Sequence, residues 1–187
     1  ADMDGLIDTL LAVSSMACEL PWIQEMDINP LIVDENGIVA VDARIVVDYP
    51  KPSTDPYNHL AIHPYPAHLV QQVQLNDGTD IVIRPIRPED AEIEAEFIRG
   101  LSKESKYFRF MNSIQELSQE MLVRFTQIDY HNEMALVAVR SIDNREEQIG
   151  VARYTTRLDK KSCEFALVVS DQWRGRGIAH HLMRRLM

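Results

Sequence analysis

The chain has 187 residues, 45% of them hydrophobic and 26% charged, with a formal net charge of -10. That is apolar material for one large domain or two small ones and excludes wholesale disorder, while the acidic balance argues against nucleic acid as a partner. No apolar run approaches the roughly 20 residues of a membrane-spanning helix, and two cysteines, Cys18 and Cys163, give no disulfide framework and no zinc knuckle, which suits a reducing cytoplasm.

Residues 5–18 read as a helix, with Leu6, Leu10, Leu11 and Ser14 at the spacing of one face. An extended apolar and acidic stretch, 22–30, leads to Leu31-Ile32-Val33 and a turn at Asp34-Glu35-Asn36-Gly37. A return strand, 38–47, completes a hairpin, since Asn-Gly suits the positive φ of a tight turn. Five prolines (Pro50, Pro52, Pro56, Pro64, Pro66) then forbid helix or central strand, so a linker or extended strap is expected. The tyrosines and histidines among them suggest that it packs on something.

A turn at Asn76-Asp77-Gly78 precedes a strand over 80–87, and Pro88-Glu89-Asp90 makes a good helix start. Helical periodicity covers 91–101 and 118–127; strands are expected over 134–140, 148–157 and 162–169, and a last helix from Gly177. This order describes a mixed α/β domain. The first helix is already under way at the start and the last has no cap, so the chain is expected to be a piece of a longer protein. Its cut sheet edge would then be met by another chain, a domain swap or poor order, with a homo-oligomer as one outcome.

The chemistry concentrates in Phe165-Ala166-Leu167-Val168-Val169-Ser170-Asp171-Gln172-Trp173-Arg174-Gly175-Arg176-Gly177-Ile178-Ala179, a strand, a glycine-bearing loop and a helix start. Two of the chain's seven glycines fall there, two residues apart. They let the backbone curl around a ligand and present free N–H groups at the positive end of a helix, where a phosphate is the natural guest. Arg174 and Arg176 would add attraction. The loop is no Walker motif and lacks the third glycine of the dinucleotide fingerprint.

Arg174-x-x-Gly177-x-Ala179 resembles the Q/R-x-x-G-x-G/A signature of the GCN5-related N-acetyltransferases (GNAT), and Ile81-Val82-Ile83-Arg84-Pro85-Ile86-Arg87-Pro88-Glu89-Asp90 looks like that family's first strand and helix start. The resemblance implies acetyl-CoA as cosubstrate. The backbone of Leu167, Val168 and Val169 would hold its pantetheine arm, and the amides of Gly175, Arg176, Gly177, Ile178, Ala179 and His180 its pyrophosphate. It also makes Glu164 the base that takes a proton from an attacking amine, and the backbone N–H near Val168 the oxyanion donor. Strand alternation puts Glu164 on one face with Ala166 and Val168. The family's tyrosine acid has no counterpart that can be named in this sequence.

Glu25-Met26-Asp27-Ile28-Asn29-Pro30-Leu31 and Val41-Asp42-Ala43-Arg44 resemble the end of the ATP-grasp domain of nucleoside-diphosphate-forming acyl-CoA synthetases. There the matching Asn29 and Asp42 help to hold the magnesium of ATP. The expected architecture is therefore an ATP-grasp end over 1–48, a linker over 49–78 and an incomplete, mixed-sheet GNAT domain over 79–187. Such an arrangement resembles the bacterial Pat-type protein lysine acetyltransferases, which implies acetylation of lysines on metabolic enzymes such as AMP-forming acetyl-CoA synthetase. A non-catalytic acetyl-CoA sensor and an ADP-forming acyl-CoA ligase are the alternatives.

Overall fold

The structure is a computed structural model and describes residues 1–35, 37–49, 57–60, 62–112, 114–143 and 145–187. The chain divides into two compact units, Ala1–Pro64 and Tyr65–Met187.

In the first unit, α1 (Met3–Glu19) starts at Asp2, whose carboxylate accepts the Gly5 N–H at 2.9 Å as a side-chain cap. Strands β1 (Ile23–Ile28), β2 (Leu31–Val33), β3 (Ile38–Ala40) and β4 (Ala43–Val47) follow, β1 pairing with β4 and β2 with β3, both antiparallel. The continuous return strand expected over 38–47 is thus broken at Val41–Asp42. Opposite lies Pro30, which has no N–H to give. The ladder there thins to Asn29 N–H onto the Asp42 carbonyl at 3.2 Å and Val41 N–H onto the Pro30 carbonyl at 3.1 Å. Asn36 of the expected turn and Pro50, Pro52 and Pro56 of the expected linker lie outside the described residues.

The second unit is a five-stranded antiparallel sheet in the order β5 (Gln71–Gln74), β6 (Asp80–Pro85), β7 (Glu133–Ile142), β8 (Arg145–Thr156), β9 (Cys163–Val169). Strand β5 corrects the linker expectation of 49–78: from Gln71 on, these residues are sheet, paired with β6 around the turn at Gly78. Helices α2 (Ala91–Gly100), α3 (Lys103–Phe110) and α4 (Gln119–Thr126) separate β6 from β7, and α5 (Ile178–Leu186) follows β9. The sequence reading missed α3.

Alternation explains the layering. Along β7, Met134, Leu136 and Ala138 pack in one core with Trp173 and with Ile178 and Leu182 of α5; Ala135, Val137 and Val139 pack in the other with Phe97 and Ile98 of α2. The sheet is thereby covered on both faces. Gly150 of β8 allows α5 this close: a Cβ there would lie 3.3 Å from Ile178 Cγ2 and from Leu182 Cδ1. On the α2 side, buried Arg84 of β6 forks onto Asp90 at 2.7 and 2.8 Å and reaches Glu146 at 2.5 Å. Burial opposes its charge, but these two carboxylates outweigh it and raise the guanidinium above its ordinary range. The pair pins the start of α2 to the sheet.

Candidate acyl-CoA site

Strand β9 is the last in the sheet and, among the described residues, pairs on one side only, with β8 from Gly150↔Val169 to Thr156↔Cys163. Half of its backbone N–H and C=O groups are left for something else. It runs into a short 3-10 turn, Asp171–Trp173, and then the glycine loop. Gly175 (φ 77°) and Gly177 (φ 87°) both lie in the left-handed region, where a side chain is strained. Gly177 caps α5 without a side-chain hydrogen bond, so the helix's first N–H groups stay free of a capping side chain.

A cleft of about 320 Å³ opens between β9, this loop and α3. Its walls include Leu167, Val168 and Val169 on the strand, Arg174, Gly175 and Gly177 on the loop, and Ile178 and Ala179 on the helix. The structure thus brings eight of the sequence-derived binding residues together. The others stand elsewhere. Arg176 turns away to Asp77 at 2.6 Å and lies over the Trp173 ring, and His180 is exposed with its ring edge-on to His181.

The remaining wall is α3, through Ser105, Phe108 and Arg109. Its signal in the sequence was Ser102, a capping residue three positions before Ser105; the Ser102 hydroxyl accepts the Ser105 N–H at 3.2 Å. Asp171 binds this helix end to the loop, accepting the Ser102 N–H at 2.8 Å and the Ser105 hydroxyl at 2.7 Å. Arg174 donates to the Ser105 hydroxyl at 2.7 Å and pairs with Asp171 at 3.1 Å. Burial would raise the Asp171 carboxyl, but these donors hold it below the usual carboxylate range. The loop arginines are therefore anchored, not freely solvated.

Glu164 lies outside the cleft wall, in an open depression with Thr155, Thr156, Arg157, Leu158 and Asp159. It is exposed and pairs across the strands with Thr155, which in turn pairs with Glu133. Under the same sheet face lies a set of charges. Glu94 of α2 is buried and accepts from the Gln148 amide; burial pushes its carboxyl up. Arg153 is buried beside it, donates to the Phe125 carbonyl at 2.6 Å and lies over the Phe125 ring; burial pushes it down to about 10.

In the first unit, Asn29 and Asp42 are neighbours across the broken ladder and both are exposed. Among the described residues no group of three or more His, Cys, Asp or Glu side chains is placed to hold a metal ion, and no helix is long and apolar enough to cross a membrane.

Comparison with known proteins agrees with this division. Residues 99–187 match the acetyltransferase (GNAT) family and residues 1–47 match the ATP-grasp domain. The crystal structure of the GNAT domain of S. lividans PAT aligns with a TM-score of 0.59 at 34% identity, over 66% of this chain and 72% of that one. An acetyltransferase of Pseudomonas aeruginosa is 38% identical over 113 residues, 60% of this chain and 61% of the relative. The beta subunit of the ADP-forming acetate–CoA ligase I of Pyrococcus furiosus is 41% identical over 46 residues, 25% of this chain and 20% of the subunit. The chain thus spans less than two thirds of the length of either curated relative.

Proposed function

Because this chain belongs to the acetyltransferase (GNAT) family, with an ATP-grasp fragment ahead of that domain, we propose that it transfers acetyl from acetyl-CoA to the ε-amine of a lysine on a protein, in the reducing cytoplasm of a bacterium. Metabolic enzymes such as AMP-forming acetyl-CoA synthetase are the proposed targets. The observation that carries the cofactor reading is the one-sided β9 running into two left-handed glycines at the start of α5. An open strand edge can hydrogen-bond the amides of pantetheine, and the helix start beside it suits a pyrophosphate.

In this reading Leu167, Val168 and Val169 bind the pantetheine arm, while the amides from Gly175 to His180 receive the phosphates. The amine nitrogen attacks the thioester carbon, the carbonyl electrons move onto oxygen, and collapse expels the CoA thiolate. A backbone N–H near Val168 meets the oxyanion. Glu164 takes the amine's proton. About 13 Å of strand separates Glu164 from Val168 at ordinary strand rise, so the proton travels through intervening water. Replacing Glu164 with Gln tests this: acetyl transfer to a lysine substrate should fall at least a hundredfold while acetyl-CoA binding is kept. Unchanged transfer would refute the role, and absence of transfer by the parent chain would favour a sensor.

The ATP-grasp match favours a second reading, a nucleotide-responsive first unit. Asn29 and Asp42, joined by a backbone hydrogen bond across the strands, each carry a hard side-chain oxygen of the kind magnesium takes, its other ligands coming from water and ATP phosphates. Magnesium-dependent ATP binding that is lost on replacing Asp42 with Ala would support it.

A further inference from the structure

Arg109 is an unusual cation for its surroundings. Its guanidinium carbon lies 4.9 Å from the Phe110 ring centre and 5.6 Å from that of Phe125, so it has aromatic faces for neighbours. Among the described residues it has no hydrogen bond or ion pair. Two carboxylates attract it at longer range: Glu94, which is held by Gln148, and Glu164. Arg153, the other cation nearby, is satisfied in part by the Phe125 carbonyl. Burial pushes the Arg109 guanidinium below its ordinary range, and the two carboxylates only offset this. A half-desolvated cation without an oxygen partner is costly, and an anion that completes it gains a charge-assisted hydrogen bond.

Its place in the cleft says what that anion is. Ser105 touches Arg174 at the glycine-loop end, and Arg109 stands one helical turn further along α3, about 6 Å on, toward the side where Glu164 acts on it. Helix α3 thus runs from the phosphate end of the proposed cofactor to its acyl end, with Arg109 lining the same cleft as Leu167 and Val168. We propose that Arg109 receives an anionic oxygen carried on the acyl group of the acyl-CoA, a role that rests on the cofactor reading above. The oxygen has two chemical sources: the oxyanion formed as the amine adds to the thioester, or the terminal carboxylate of an acyl chain such as malonyl.

The test is calorimetric titration of the parent chain, Arg109→Met and Arg109→Lys with CoA, acetyl-CoA and malonyl-CoA, joined to transfer rates. Methionine keeps the apolar stem against the two rings. If the acyl carboxylate is the source, the parent chain binds malonyl-CoA more tightly than CoA, and Arg109→Met weakens malonyl-CoA at least tenfold more than it weakens CoA, with part of the loss restored by Arg109→Lys. A fall of about a hundredfold in kcat with acetyl-CoA at unchanged KM identifies the oxyanion as the source, as for other lost oxyanion donors. Full acetyl transfer with malonyl transfer lost identifies the acyl carboxylate. Equal weakening of all three ligands, or unchanged binding of all three together with unchanged acetyl and malonyl transfer, overturns the assignment. Failure of the parent chain to bind any of them overturns the cofactor reading itself, and this role with it.

Discussion

Asp171 and Ser102 are 69 residues apart in sequence, yet the Asp171 carboxylate accepts the Ser102 backbone N–H at 2.8 Å. This bond makes the start of α3 and the approach to the glycine loop one structural piece. The same carboxylate takes the Ser105 hydroxyl and pairs with Arg174, so the wall of the cleft and its loop share one anchor.

Replacing Asp171 with Asn should therefore weaken acetyl-CoA binding by about an order of magnitude through KM, with kcat changed much less. The pH dependence has a fixed sign. The folded carboxyl is held low, so its contribution to stability is present above about pH 3.9, the unfolded value, and is lost as pH falls below it. Urea unfolding of the two proteins should show a stability gap at pH 6 that narrows as pH falls below about 3.9.

Glu94 gives the opposite slope. Burial raises its folded carboxyl, so the native state binds the proton more tightly than the unfolded chain does. Its contribution to stability is full below about pH 4.3 and is lost as pH rises through the folded value. Glu94→Gln, which stays neutral at all pH, should flatten this part of the stability profile. Denaturation curves between pH 4 and 8 that fall equally for both proteins would contradict it.

Gly150 tests the packing of α5. A valine there would overlap Ile178 and Leu182 and should cost about 1–3 kcal/mol, read as a lower Tm. Gly175→Ala meets nothing within 4 Å and pays only for its left-handed backbone, about 1 kcal/mol.

The readable parts were those with a local cause. Short continuous apolar runs along 134–139 and 165–169 marked β7 and β9, and Gly175 and Gly177 marked the loop, because two-sided burial and backbone freedom are written in neighbouring residues. Helix α3 was not readable: Lys103–Phe110 has three charged residues before its aromatic end, and what holds it is Asp171, far along the chain. Strand β5 was hidden in the same way, because Gln71–Gln74 is mostly polar and becomes sheet only through its partner β6. The break in the return strand depended on Pro30 lying opposite. The glycine loop was legible, whereas the wall that faces it was not.

The most direct test of the account is a calorimetric titration with acetyl-CoA of the parent chain, Gly177→Val and Gly177→Asn, with circular dichroism confirming that each is folded. The left-handed φ at 177 tolerates asparagine far better than a β-branched residue. Saturable binding by the parent chain and Gly177→Asn, lost in a folded Gly177→Val, is the predicted result. Binding that Gly177→Val leaves intact, or no binding by the parent chain, would contradict the placement of acetyl-CoA on this loop.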